Sequence, residues 1–272
     1  MTRMVKAPKA PEGSDEAASD KLAYEGPRSP IRVMQIVEAL AAAPQGISLA
    51  VLARQLDLPK TSLLNHLRVL VGTGHVALRD SVYVLGPAAI CMGVIISSGF
   101  GPMAAIGPIA KQLAADSGET TICAMLDEQA FEVVYLEVHE GWQQIRYAPP
   151  TGVRRPLYCS GLGRALLAFQ GDAYIESYLK GRTFERFNAN TIATAPKLRK
   201  KLKEEHDNGF AFSYGERLPD LGALAAPILD KQGRVRYSLG VTVPISRIVP
   251  IKNKLIKLLL AATERASWAI GA

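Results

Sequence analysis

Cysteine is scarce in this 272-residue chain: Cys91, Cys123 and Cys159 stand far apart, each in apolar surroundings. An odd, scattered set makes neither a disulfide framework nor a zinc site, and predicts buried thiols in a reducing cytoplasm. The four histidines, His66, His75, His139 and His206, show no ligand spacing either, so no metal and no other cofactor is expected. Long hydrophobic runs are also missing. The most apolar stretch, AAICMGVIISSGF, is short of a membrane span and is flanked by glycine and proline, which predicts burial against protein. The basic start, MTRMVKAPKAPEG, lacks the apolar core of a signal peptide. An enzyme would need a nucleophile with its base, or a carboxylate pair. Cys159 and Ser160 lie beside glycines with no histidine in any recognisable motif near them, so catalysis is not expected.

What is present is ample for two modest cores and an interface: 48% hydrophobic and 21% charged residues, with a net charge of +7. That charge is compatible with a polyanionic partner without establishing one.

The stretch from Gly46 to Leu85 reads as a winged helix-turn-helix. Ser48 is placed to cap a short helix whose Leu49, Leu52, Ala53 and Leu56 share one face. The turn Asp57–Pro59 follows, then a helix from about Pro59 to Val71 with Leu63, Leu67 and Leu70 inward. Lys60, Thr61, Ser62, Asn65 and Arg68 then fall outward or flanking, as side chains that read a major groove must. Gly72 and Gly74 stop the helix, and HVALRDSVYVL alternates like a hairpin with Asp80 and Ser81 at its tip, beside Arg79. Between Ser29 and Gly86 the bases Arg32, Arg54, Lys60, Arg68 and Arg79 outnumber Glu38, Asp57 and Asp80 only slightly, which predicts a homodimer pooling two such surfaces on double-stranded DNA.

In chain order, residues 1–28 read as a disordered arm, 29–86 as the DNA-binding domain, 87–102 as a linker helix and 103–272 as a second domain. A first helix spans about Ile31 to Ala43, with Arg32 near its start placed to reach phosphate. The next helix runs from about Met103 to Asp116, where Pro108 either kinks it or marks its true start. From Gly118 the period becomes strand-like: TTICAMLD, AFEVVYLEVH and QQIRYA are three candidate strands. RRPLYCSGLGRALLAF opens extended and turns helical near Gly161. AYIESYLKG and a charged helix capped by Thr194 follow, then three more strands, GFAFSYGE, ALAAPILD and RVRYSLGVTV. A final helix starts near Pro250 and carries Leu255, Leu259, Ala262 and Trp268. The class is α+β, with one sheet of five or six strands flanked by helices.

Gly209, Ser213, Glu216, Ala223, Leu224, Ala225, Ile228 and Asp230 resemble the C-terminal signature of the IclR family of bacterial transcriptional regulators; RRPLYCSGLGRALLAF and LPKTSLLNHLRVL resemble the family's segments at those places. Leu229 stands where an aromatic or histidine is usual. The resemblance covers nearly the whole chain after Arg28. It implies a winged helix-turn-helix, a linker helix and a GAF-like α/β effector-binding domain, in a dimer often doubled to a tetramer. Family recognition helices often carry arginine where this one has Asn65, whose amide can pair bidentately with adenine. His66 is expected to be partly buried, with a base contact as the alternative.

Effector contacts in the family match Gly161, Leu162, Ser213, Ala223, Gly240 and Thr242 here. Gly161 and Gly163 would offer backbone N–H groups to a carboxylate at a helix start, and Thr242 a hydroxyl. The plain alternative for GLG is a tight strand-to-helix joint without a ligand. Where members that bind very small acids carry an acid, a thiol and a serine, this chain has Ser213, Ala223 and Gly240. A roomier, less polar pocket follows, lined also by Met125, Tyr147 and Phe212 and matched to an aromatic or mostly apolar carboxylate. The expected function is sequence-specific regulation of transcription, with operator affinity modulated by that acid. The alternative is a regulator whose C-terminal domain serves oligomerisation or protein contact without a ligand.

Overall fold

The computed structural model describes residues 28–99 and 101–271, so the arm expected over residues 1–28 lies outside the described residues except for Arg28. The chain divides into two compact units that meet between Ile95 and Ile96.

The N-terminal unit contains α1 (Arg28–Ala41), β1 (Ile47–Ser48), α2 (Leu49–Gln55), α3 (Lys60–Gly72), β2 (Val76–Arg79), β3 (Val82–Leu85) and most of α4, which spans Pro87–Gly99 and runs across the boundary. Ile36 and Leu40 of α1, Leu52 of α2 and Leu63, Leu67 and Leu70 of α3 converge in one core, closed by Val76 and Tyr83. Ser48 caps α2, its Oγ accepting from the Val51 N–H. Pro59 takes the cap position of α3 and lies outside its first turn. Asp80 and Ser81 both have positive φ, 46° and 68°, as a two-residue turn matched to the twist of a hairpin requires. The two-residue strand β1, too short to show alternation in sequence, pairs Ile47 with Tyr83 and Ser48 with Val82.

One expectation fails on α4. It is apolar all round, yet of residues 87–96 only Ala89 is buried within this chain; Ile90, Met92, Val94, Ile95 and Ile96 are exposed. Cys91, expected to be buried, is exposed with them, because a helix that meets its own unit along one narrow edge leaves the remaining faces uncovered.

The C-terminal unit contains α5 (Gly101–Ser117), β4 (Thr120–Asp127), β5 (Glu132–His139), β6 (Arg154–Pro156), a 3-10 turn over Leu157–Cys159, α6 (Gly161–Leu167), α7 (Asp172–Leu179), α8 (Ala195–Asn208), β7 (Ala211–Tyr214), β8 (Leu221–Leu229), β9 (Val235–Pro244) and α9 (Ile245–Gly271). Six antiparallel strands form one sheet in the order β6-β5-β4-β9-β8-β7. On one face Ile122, Ala124 and Leu126 meet α6, α7 and α8 through Leu166, Tyr178 and Leu198. On the other, Cys123, Leu239 and Val241 meet α5 and α9 through Ile106, Leu113, Leu255 and Leu259. The fold is α+β, with a helix-turn-helix unit followed by a helix-flanked sheet.

Several local expectations need correction. Residues 143–148, QQIRYA, form no strand; the third partner on that edge is β6. Their backbone is held by side chains instead: Thr242 Oγ1 lies 3.3 Å from the Tyr147 carbonyl, and Arg247 Nη2 donates to the Ile145 carbonyl at 2.7 Å. The last helix begins at Ile245, ahead of Pro250, because burial of Ile248 against the sheet outweighs the hydrogen bond that Pro250 forfeits. Trp268 on that helix is 77% exposed. Thr194 precedes α8 without a side-chain capping bond. Helix α5 runs through Pro108, so its start lies before that residue.

Candidate functional site

In the N-terminal unit the candidate face is the outer side of α3. Anchoring by Leu63, Leu67 and Leu70, spaced three or four apart, turns Lys60, Thr61, Asn65 and Arg68 to solvent. Ser62 is half-buried and its hydroxyl lies 3.4 Å from Nη1 of Arg32, so α1 delivers a cation beside the start of α3. Arg79 is exposed at the end of β2, next to the hairpin tip. His66 is half-buried. Among the described residues the face therefore offers four cations, Arg32, Lys60, Arg68 and Arg79, and a solvent-exposed amide at Asn65.

In the C-terminal unit a cavity of about 50 Å³ opens between α6 and the sheet. Its floor is one rung of strand pairs, Ser213–Ala223 and Ala223–Thr242, continued by Thr242–Thr120. Gly161, the first residue of α6, sits directly above: a Cβ there would lie 3.3 Å from that of Ala223 and 3.6 Å from that of Ser213. Ser160 caps α6, its Oγ accepting from the Gly163 N–H at 3.3 Å, with the Tyr135 hydroxyl 3.5 Å away.

Five of the expected residues thus meet at the cavity: Gly161, Leu162, Ser213, Ala223 and Thr242. Gly163 and Gly240 do not reach its lining. Gly163 packs on the Leu157 backbone, which a Cβ would approach to 2.6 Å, and its N–H is committed to Ser160. Gly240 lies two residues further along β9 beneath Leu162, whose side chain is 2.8 Å from where a Gly240 Cβ would stand. Tyr147 lines the cavity as expected, while Met125 and Phe212 do not. The Thr242 hydroxyl is within reach of two carbonyls, those of Thr120 and Tyr147, each at 3.3 Å, so it serves the fold before any ligand.

Sequence reasoning missed Tyr135, Arg155, Cys159, Ser160, Arg217, Leu218, Leu221 and Gly222 in the lining. For Arg155 and Arg217 a signal existed: both are cations next to segments already singled out. Burial pushes the Cys159 thiol up to about 12, although Arg217 and Arg164 draw it down, which favours the neutral thiol over the thiolate. Burial likewise raises the Tyr135 phenol.

Beneath the pocket Arg164 is fully buried, its Nε reaching both oxygens of Glu205 and its Nη atoms the carboxylate of Glu216 and the carbonyls of Tyr158 and Phe212. Burial raises Glu205 against the pull of Arg164. This network ties α6 to α8 and to the segment after β7, fixing the helix start that roofs the cavity. Among the described residues no group of three histidine, cysteine or acidic side chains could hold a metal ion, and no single helix is long and apolar enough to cross a membrane.

Residues 29–79 match the family model described as the IclR helix-turn-helix domain, and residues 102–268 that described as bacterial transcriptional regulator IclR C-terminal. The chain is 27% identical over 263 residues to the DNA-binding transcriptional repressor YiaJ of Escherichia coli, covering 94% of this chain and 93% of that one. It is 29% identical to the HTH-type transcriptional regulator BhcR of Paracoccus denitrificans, over 82% and 80% of the two chains. Among solved structures, Thermotoga maritima IclR superposes with a TM-score of 0.75 at 22% identity, over 90% of this chain and 99% of that one. An IclR homologue from Microbacterium hydrocarbonoxydans, complexed with 4-hydroxybenzoate, gives 0.77 at 20% identity, over 89% and 98%.

Proposed function

This chain belongs to the IclR family of bacterial transcriptional regulators, and from that premise we propose that its operator affinity is set by a small organic acid, aromatic or mostly apolar, held at the start of α6. Family membership makes it a DNA-binding regulator and not an enzyme. Residues 29–86 are assigned to operator contact, 87–102 to linkage and 103–272 to sensing. Within the first, Lys60, Thr61, Ser62, Asn65 and Arg68 enter the major groove, with Arg32 and Arg79 on phosphate. Exposed Ile90 and Val94 on α4 join two copies into the dimer that reads a two-fold site.

The observation that carries the effector reading is the rung of Ser213, Ala223 and Thr242 facing Gly161 across a cavity with no lining acid. The complex of the Microbacterium homologue with 4-hydroxybenzoate supports an aromatic acid. The expectation of a roomier, less polar pocket is corrected by the lining, which brings Arg155, Arg217, Ser160 and Tyr135 to a small cavity, so the aromatic class rests on the homologue's ligand and not on a lack of polar groups. A second reading, a C-terminal domain without a ligand, is favoured by the cavity's volume, about 50 Å³, against roughly 300 Å³ or more for pockets that enclose drug-sized ligands.

Calorimetry with benzoate, 4-hydroxybenzoate, glyoxylate and pyruvate separates the two. Benzoate-class acids are expected to bind tightest and to change operator affinity in a mobility-shift assay; a tenfold change needs about 1.4 kcal/mol of coupling. Tightest binding by glyoxylate would overturn the aromatic class, and no binding by any acid would favour the ligand-free domain. Ile90→Glu is expected to give monomers with weak operator binding, and sedimentation of an unchanged oligomer would refute the assembly.

A further inference from the structure

Two arginines line the cavity, Arg155 from β6 and Arg217 from the segment after β7, and no acidic residue lines it. The neighbouring acid, Glu216, is committed to Arg164 on the far side. The lining therefore carries two positive charges and no counter-charge. Arg155 is half-buried, with Nη1 donating to the Arg154 carbonyl at 3.0 Å. Arg217 is different. Its Nε is buried and, among the described residues, meets no acceptor, while its guanidinium lies 5.5 Å from the centre of the Phe187 ring.

A buried cationic N–H without an acceptor is a costly arrangement, and an anion in the cavity relieves it. The start of α6 offers less than its sequence promised. The Gly163 N–H donates to Ser160 Oγ and the Arg164 N–H to the Ser160 carbonyl. A carboxylate that found only the remaining N–H groups would be poorly solvated. A guanidinium presents a planar fork that matches a carboxylate edge to edge, and does so best where water is excluded.

We propose that Arg217 is the carboxylate anchor of this pocket, the residue that makes it select an acid over a neutral molecule of the same shape. This rests on the effector reading above and adds to it the group that holds the charge. Arg155 supplies the second positive charge in the lining, and the ligand's apolar body lies on Leu162, Leu218 and Ala223.

The test is calorimetry on the full chain with benzoate, 4-hydroxybenzoate and pyruvate, each paired with its amide. The wild-type chain should bind at least one acid and prefer it to the amide by about tenfold or more. Arg217→Gln should weaken that acid by about tenfold or more and leave the amide unchanged, with Arg217→Lys intermediate because it keeps the charge and loses the fork. Equal acid affinity in the wild type and in a folded Arg217→Gln overturns the anchor and leaves the effector reading standing. Failure of every acid to bind the wild type overturns both. If Arg217→Gln does not fold, the wild type decides alone: amide binding as tight as its acid refutes a charged anchor.

Discussion

Helix α3 buries Leu63, Leu67 and Leu70 and leaves Lys60, Thr61, Asn65 and Arg68 in solvent, whereas α6 buries all seven of its residues, Gly161 to Leu167. Each helix carries a candidate site. In α3 the side chains that hold the helix and those that meet a partner lie on opposite faces, so the two tasks are separable residue by residue. In α6 they coincide: Gly161 roofs the cavity, Arg164 pins three elements together, and Leu162 fills the space over Gly240. Change at the first site should alter recognition and spare the fold, while most changes at the second should strike both.

The hardest blow to that contrast comes from Arg164→Ala. It would leave Glu205 and Glu216 buried without their cation, and should destabilise the C-terminal unit by about 3–5 kcal/mol, read by urea denaturation. A loss near zero would mean that the network does not fix α6. Next, Gly163→Ala would force a Cβ to 2.6 Å from the Leu157 carbonyl oxygen, and should cost about 1–3 kcal/mol of stability. Gly161→Ala, whose nearest neighbour is Ala223 Cβ at 3.3 Å, should cost less and instead shrink the cavity. Equal melting temperatures for the two would erase the difference between structural and cavity-facing glycine.

On α3, Asn65→Ala should lose about 1–3 kcal/mol of operator affinity, far less on random DNA, with an unchanged melting temperature. Equal losses on both DNAs at one salt concentration would remove Asn65 from base recognition. The smallest effect is expected from Ser48→Ala. Its capping bond to Val51 N is long, 3.4 Å, and exposed, so the loss should sit near the low end for caps, about 0.5 kcal/mol, in thermal unfolding.

The same contrast explains what the sequence disclosed. The turn-helix-hairpin of the N-terminal unit was legible because a half-buried helix writes its period into the order of leucines, and Asp80-Ser81 marks a turn. A helix buried on every side writes no period. GLGRALL showed its start through its glycines and showed nothing of the roles of Arg164 or Ser160, whose partners Glu205, Glu216 and Tyr135 come from distant elements. The family resemblance, and not strand parity, names Ser213, Ala223 and Thr242, and the register of β7, β8 and β9 brings them onto one rung of the cavity floor. Arg155 and Arg217 escaped notice because the first sits in a strand of only three residues and the second in the irregular segment after β7, and neither stretch is long or regular enough for alternation to say which way a side chain points. Residues 143–148 alternate like a strand, yet their carbonyls are captured by Thr242 and Arg247, contacts that no local pattern encodes.

The sheet order has one more consequence, for the birth of the molecule. Its two middle strands, β4 and β9, are joined across 122 residues between Thr120 and Thr242, while the N-terminal unit is closed by neighbours in the chain. On the ribosome the N-terminal unit can therefore finish folding while the C-terminal unit still has an open flank on β4, waiting for the strand that will sit beside it. A message cut short between Ile96 and Val235 would delete β9 from the centre of the sheet and leave the N-terminal unit whole.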